Sequence, residues 1–118
     1  MASPERLTRT ADLELVRREG KRVRTALLEV RVLASLLRAH RVGVIVPRFK
    51  HSAVARNRLK RQLRELLRHE WTALLAPLPP QDLVLRAGPA AYAADRARLR
   101  QDIQRLGARV VELAGLAA

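Results

Sequence analysis

The sequence predicts an α+β protein with a single small sheet and helices packed on one face. Short runs of β-branched residues alternate with longer segments in which leucines recur at helical spacing, and the predicted element order is α-β-β-β-α-β-α. The chain has 118 residues, of which 48% are hydrophobic. That length and composition suit one domain, residues 1–118, with a modest core.

The N-terminal segment predicts one helix. Residues 1–9 are polar, and we expect them to be loose, although Arg6 and Arg9 could reach a phosphate. Thr10 is placed to cap a helix that Gly20 ends.

Two or three strands are predicted next. The basic residues 21–24 lead into a strand over residues 27–33, where apolar and polar residues alternate, so that one face is buried and the other is wet. Residues 34–40 favour a hairpin connection or a helical turn. The strand over residues 42–46 would then return antiparallel to the first, and Pro47 stops it.

The second half of the chain predicts a helix, a strand and a helix. A basic helix over residues 54–75 ends at a group of prolines. Residues 82–87 have the pattern of a short buried strand. The last helix is predicted over residues 91–113, with one apolar side and one side of mixed charge, including Asp102, that we expect to be solvated.

The basic helix carries a row of five polar residues, four of them cations, opposite its apolar stripe. Five of its residues recur at i, i+3, i+4, i+7 and i+11, a spacing that places them on one face. They are Asn57, Lys60, Arg61, Arg64 and Arg68. Like charges at this spacing repel each other, and a solvated face normally mixes its signs, so the row predicts a polyanionic partner. We expect the nearby Glu65 to pair with Arg61 or Arg68.

Composition points to the same class of partner. The formal net charge is +13, and 21 of the 24 basic residues are arginines, because only Lys21, Lys50 and Lys60 are lysines. This balance indicates nucleic acid first and an anionic membrane second. The chain contains no cysteine, no apolar run of about 18 residues and no signal-like start, so a soluble cytoplasmic protein is the simplest interpretation.

Protein-based catalysis finds little support in the sequence. His40, His51 and His69 are scattered and lack carboxylate pairs, and no metal-ligand motif is present. We assign Trp71 to the core and Tyr92 to anchoring the last helix. The single phenylalanine lies in a basic turn and is a candidate for stacking on a base.

Residues 41–68 contain an ordered set of motifs. The segment Arg56-Asn57-Arg58-Leu59-Lys60-Arg61-Gln62-Leu63-Arg64-Glu65 is similar to the RNR signature of the protein subunit of bacterial ribonuclease P. Before it come Arg41-Val42-Gly43, a basic turn at residues 48–50 and Ala53-Val54, in the family's order and spacing. The resemblance implies a two-layer sandwich like the second domain of ribosomal protein S5. The chain departs from the family at Leu13 and Arg17, where aromatic residues are common.

The resemblance also implies a function. The protein would be the accessory subunit of ribonuclease P, the endoribonuclease that removes the 5′ leader of precursor tRNA, with catalysis by the RNA subunit and its bound Mg²⁺. Its partners would be the catalytic RNA and precursor tRNA, with no DNA or membrane partner and no catalytic or metal-binding residue in the protein. The implied RNA-binding residues are Arg48, Lys50, Arg56, Asn57, Arg58, Lys60, Arg61, Arg64 and Arg68. The leader-binding candidates are Leu13, Arg17, Arg31 and Phe49.

Three alternatives remain open on composition. A structural RNA-binding protein of the small ribosomal type fits equally well without the ordered motif. A DNA-binding regulator would read the major groove with residues 54–75, which offer only Asn57 and Gln62 as neutral base readers. A membrane-surface helix would need the apolar stripe that the sheet also needs.

Overall fold

The computed structural model describes residues 3–117 as one five-stranded mixed sheet with three α-helices. The predicted α+β class and single sheet are confirmed. The strands are β1 (Glu5–Arg6), β2 (Lys21–Arg24), β3 (Leu28–Ala34), β4 (Arg41–Ile45) and β5 (Gln81–Ala87). The helices are α1 (Thr10–Glu19), α2 (Ala53–Leu75) and α3 (Arg96–Ala117), with a 3₁₀ turn at Pro89–Ala93.

The strands lie in the order β1-β4-β5-β3-β2. β5 pairs parallel with β4 and antiparallel with β3, while β1 pairs parallel with β4. β4 does run opposite to β3, but the predicted hairpin between them is wrong because β5 lies between the two. The reason is that Leu83, Val84 and Leu85 are all buried, and a strand that is apolar on both faces belongs in the centre of a sheet.

The two long helices cover one face of the sheet. The apolar stripe of α2 and the buried side of α3 share a core with Val30, Leu83 and Leu85. Trp71 lies in this core at 1% exposure, and its indole N–H donates to the carbonyl of Ile103 at 2.9 Å. The prediction that Trp71 is a core residue is confirmed.

α1 lies on the opposite face. Val84 points away from Leu83 and Leu85 because side chains alternate along a strand, and it packs in a small second core with Val16 and Leu7. A side chain at Gly43 would come within 2.7 Å of the Leu13 side chain and 2.8 Å of the Leu7 carbonyl, so this close approach requires glycine. The prediction of helices on one face therefore describes α2 and α3, with α1 as an addition on the other side.

An arginine fixes α1 to the sheet. The Arg41 guanidinium of β4 donates to both carboxylate oxygens of Asp82 on β5, at 2.9 and 2.6 Å, and to Asp12 of α1 at 3.2 Å. The hydrogen bond with Asp82 is the main cause of the raised pKa of Arg41. Both ends of the Arg41–Asp82 pair are mostly buried, so the pair holds β4, β5 and α1 in register.

The N-terminal segment is ordered where we expected it to be loose. The Glu5 N–H donates to the His40 carbonyl at 2.9 Å, and the Leu7 N–H donates to the Val42 carbonyl at 3.0 Å. Leu7 is 2% exposed. A single apolar residue in a polar segment gave too weak a pattern to predict this strand, and residues 1–2 lie outside the described part of the chain.

Helix boundaries differ at two places. Thr10 is the first residue of α1 rather than its cap, and the N-cap residue, Arg9, makes no side-chain capping bond. The last helix begins at Arg96 rather than near residue 91, because Pro89 starts a separate 3₁₀ turn. Tyr92 belongs to that turn and donates its hydroxyl to the Pro47 carbonyl at 2.6 Å, so it anchors the loop after β4 and not the last helix.

Asp102 is buried, so the expectation that it faces solvent is wrong. It is 0% exposed, and one carboxylate oxygen accepts the Leu27 N–H at 3.1 Å. Arg98, one turn earlier, lies 3.7 Å from the other oxygen. Asp102 therefore attaches α3 to the connection between β2 and β3.

Membrane insertion through a helix is not indicated for the described residues. Within residues 3–117 no helix combines the length and the apolar character needed to cross a bilayer.

Candidate nucleic-acid interface

α2 presents the predicted row of polar residues away from the core. The Ser52 hydroxyl caps the helix by accepting the Ala55 N–H at 3.1 Å. Because Leu59, Leu63 and the rest of the apolar stripe are buried against the sheet and α3, the opposite side must face outward. Asn57, Arg61 and Arg68 are exposed there, and Lys60 and Arg64 are half-buried.

The carboxylates of α2 are turned toward α3. Glu65 accepts from Arg96 at 3.0 Å, so the prediction that it pairs with Arg61 or Arg68 is wrong. Glu70 accepts from Arg100 at 2.6 Å, and this hydrogen bond lowers the pKa of Glu70. α3 thus neutralises both acids of α2. Among the described residues, neither acid pairs with the cations on the other side of the helix.

A groove runs between α2 and the N-terminal segment. Its volume is about 770 Å³, its floor includes Val42 and Val44, and one wall is formed by residues 3–6. Six cationic side chains line it, together with Glu5 and the already paired Glu65. They are Arg6, Arg56, Lys60, Arg61, Arg64 and Arg68.

Hydrogen bonds fix two side chains that line this groove, Arg56 and Asn57. Arg56 donates through Nε to the Val46 carbonyl at 2.9 Å and through Nη1 to the Asn57 side-chain oxygen at 3.0 Å. Arg56 and Asn57 of the RNR motif therefore fix each other at the end of β4. Arg58, the third residue of the motif, is exposed and does not line the groove.

The cations of the groove repel one another. Partial burial lowers the pKa of Lys60, and the neighbouring charges of Arg64, Arg56 and Arg6 lower it further. The pKa of Arg64 is lowered by burial and then by Arg6 and Arg56. Since each of these groups is destabilised in its charged form, an anion in the groove would relieve the cost.

A second basic surface lies on the face of the sheet that carries α1. Strand register places Arg31 of β3 between Arg22 of β2 and Val84 of β5. The Val84 side chain packs against α1, so all three residues lie on the face that carries this helix. Glu29 lies among these arginines, 3.5 Å from Arg22 and 3.7 Å from Arg31. By the same register, Arg24 and Arg86 belong to this face. It is an open, mostly cationic surface beside α1.

The leader-binding candidates lie on three elements: β3, α1 and the loop after β4. Arg31 belongs to the basic surface just described, and the exposed Arg17 lies on α1, 3.6 Å from Glu14. Leu13 is half-buried in the small core over Gly43, which commits its side chain to packing. Phe49 lies in the loop after β4.

The loop of residues 47–52 holds its basic residues in a strained turn. Phe49 and Lys50 have positive φ values of 45° and 70°, which cost of order 1–3 kcal/mol for such residues. Phe49 is 39% exposed and contacts Tyr92 edge-on, with 6.5 Å between ring centroids. The His51 ring stacks on Tyr92 at 3.9 Å. The exposed Arg48 and Lys50 are thus presented next to an aromatic cluster.

The histidines and acids do not assemble into a reactive centre in the described part of the chain. His40 accepts the Gln81 N–H through Nδ1 at 3.0 Å, His51 stacks on Tyr92, and His69 is exposed on α2. Within residues 3–117 no group of three or more histidine or acidic side chains could hold a metal ion.

Comparison with known proteins agrees with this architecture. The family model described as Ribonuclease P matches residues 1–111. The ribonuclease P protein component of Syntrophobacter fumaroxidans is 41% identical over 87 residues, which cover 74% of this chain and 71% of that protein. The component of Streptomyces avermitilis is 35% identical over 113 residues, covering 87% and 89% of the two chains.

Solved structures share the fold. The RNase P protein from Thermotoga maritima superposes with a TM-score of 0.77 at 26% identity, covering 89% of this chain and 96% of that one. The RNase P protein of Staphylococcus aureus superposes with a TM-score of 0.73 at 20% identity, covering 92% and 94%. On the family match, the sequence identities and the shared fold together, the chain belongs to the ribonuclease P protein family.

Proposed function

We propose that the chain is the protein subunit of ribonuclease P, which binds the catalytic RNA and the 5′ leader of precursor tRNA and assists removal of that leader in the cytoplasm. The observation that carries the proposal is the groove beside α2. It places six cations together, and the acids of α2 are occupied by α3. A folded RNA, with its dense phosphates, is the partner that such a surface fits.

The two basic surfaces suit two different RNA partners. The groove along α2 is bordered by a rigid helix and suits the backbone of a folded RNA. The open sheet face beside α1 carries Arg31 and its neighbours and suits an extended single strand. In this division the catalytic RNA occupies α2, while the leader follows the sheet, with Arg17 and Phe49 offering planar groups for stacking.

Catalysis in this proposal belongs to the RNA. The reaction is hydrolysis of the phosphodiester that joins the leader to the mature 5′ end of tRNA. In this proposal the Mg²⁺ that supports the reaction is held mainly by the RNA. The protein contributes by lowering the repulsion between catalytic RNA and substrate, and so raises the affinity for substrate and lowers the Mg²⁺ concentration that cleavage needs.

Identification of the RNA that copurifies with the protein from cells tests the proposal. We expect one RNA of a few hundred nucleotides that cleaves precursor tRNA at the mature 5′ end when it is recombined with the protein. Recovery of ribosomal RNA alone would support a structural RNA-binding protein instead. The same purified pair, titrated with magnesium, should need less of the ion for cleavage when the protein is present.

A further inference from the structure

Arg6 reaches the α2 groove from a separate part of the chain. It lies on β1 and lines the wall opposite α2, with Lys60 and Arg64 on the other side. Among the described side chains, none of these three cations has an ion pair with a carboxylate. Two elements more than fifty residues apart therefore direct like charges at the same space.

The short strand that holds Arg6 is weakly attached to the sheet. β1 has only two residues, both exposed, and backbone hydrogen bonds to His40 and Val42 flank it. The residue after the strand, Leu7, is the one that is buried, in the small second core. Repulsion between Arg6 and the α2 cations acts against this attachment in the free protein.

We propose that β1 is part of the RNA-binding site. Arg6, Lys60 and Arg64 form a three-cation subsite for a phosphodiester of an RNA backbone, and bound RNA stabilises residues 3–7 against the sheet. The identity of the ligand as RNA rests on the function proposed above. The subsite itself rests on the placement of the three side chains around one groove.

The chemistry of the groove favours backbone over base recognition. Guanidinium groups bind phosphate oxygens in a bidentate manner, and a lysine adds a point charge. The neutral polar side chains of the lining are Ser3 and Asn57, and the Asn57 oxygen is already bound by Arg56. The subsite therefore contributes affinity with little dependence on nucleotide sequence.

Coupling between RNA binding and β1 follows from the charges. A phosphate between Arg6 and α2 converts a repulsive arrangement into an attractive one, so β1 docks more tightly when RNA is bound. By reciprocity, a docked β1 raises the affinity for RNA by the same factor. The Leu7 amide, which bonds to Val42, reports this docking directly.

The test compares Arg6→Gln with Arg9→Gln in the full-length protein, titrated with the catalytic RNA across a range of salt. Arg9 is the matched control, since it is exposed, carries the same charge three residues away and does not line the groove. We expect Arg6→Gln to weaken binding on the order of 10-fold. The slope of log affinity against log salt should fall by about 0.7–0.9, the value for one lost phosphate contact. Arg9→Gln should change neither quantity appreciably, and Arg6→Lys should keep most of the slope.

A double variant, Arg6→Gln with Arg64→Gln, should lose less affinity than the sum of the single losses, because both side chains would contact the same phosphate. Hydrogen exchange at the Leu7 amide should slow when RNA binds the wild-type protein, and slow less in Arg6→Gln. Equal effects of Arg6→Gln and Arg9→Gln, or unchanged exchange at Leu7, would overturn the proposal while leaving RNA binding intact. Failure of the wild-type protein to bind the RNA would instead refute the function on which it rests.

Discussion

Neutralising Arg61 and Arg64 together should separate RNA binding from folding. In the variant Arg61→Gln/Arg64→Gln, two positive charges leave the groove beside α2 and the apolar side of the helix is unchanged. Arg61 is exposed, and Arg64 is half-buried with a lowered pKa, which means that the folded state disfavours its charge. The free energy of unfolding should therefore stay within about 0.5 kcal/mol of wild type, and any change should be stabilising.

RNA binding should respond strongly to the same change. Two lost phosphate contacts reduce the slope of log affinity against log salt by roughly 1.4–1.8. At physiological ionic strength the affinity should fall on the order of 100-fold, since each charged hydrogen bond contributes about 1.5 kcal/mol or more. Filter binding with the catalytic RNA over a salt series measures both quantities, and urea unfolding measures stability.

The control for this variant must remove equal charge from a different surface. Arg105 and Arg109 serve this purpose because both are exposed on α3, whereas Arg98 lies near the buried Asp102. Arg105→Gln/Arg109→Gln should leave affinity and salt slope nearly unchanged. If the two double variants lost the same affinity and the same slope, binding would depend on overall charge, and α2 would not be the RNA-binding element.

Four further predictions concern catalysis, the leader and stability. Purified protein without RNA should cleave no precursor tRNA, and metal-dependent 5′ processing by an RNA-free preparation would contradict the role assigned to the RNA. Arg17→Ala and Phe49→Ala should each weaken binding of a substrate with a long leader by about 1–3 kcal/mol while sparing a substrate with a one-nucleotide leader, and equal losses would place these side chains away from the leader. Asp82→Asn should lower the free energy of unfolding by about 2–3 kcal/mol in urea, because it leaves the mostly buried Arg41 with Asp12 alone; an unchanged midpoint would show that the pair is dispensable. Glu70 has a folded-state pKa below its usual value of 4.5, so its contribution is present above that pH and lost as the pH falls through the folded value. Glu70→Gln should therefore reduce the loss of stability on acidification, and an identical pH profile would contradict the Arg100 contact.

The sequence predicted best where one pattern ran over many residues. The polar row of α2 spans residues 57–68 and its apolar stripe runs from Leu59 to Leu75, so their periodicity determined the helix and its two faces. Trp71 was assigned correctly to the core, although its position is at the edge between the apolar stripe and the basic face. The arginine surface on β3 also followed from alternation, since Arg31 falls between buried residues.

Tertiary contacts decided what the sequence did not reveal. The place of β5 between β3 and β4 depends on pairing across more than forty residues, and no local signal encodes such a neighbour. Glu65 could pair within its own helix by spacing, but α3 brought Arg96 closer. Asp102 falls on the charged side of α3 by its spacing, but the Leu27 amide lies against it and the carboxylate is buried. β1 was missed because its two residues are polar and exposed, and the buried residue next to it, Leu7, stands alone in a polar segment.

The central position of β5 has a consequence for how the protein is made. β3 and β4 are synthesised early and can pair with β2 and β1, yet each gains its second neighbour only when residues 81–87 arrive and insert between them. Such non-local pairing slows folding, and the chain meanwhile exposes two unpaired strand edges. α3 comes later still and contributes Arg96 and Arg100, which occupy the acids of α2. The arrangement of charges around α2 is therefore complete only once α3 has folded against it.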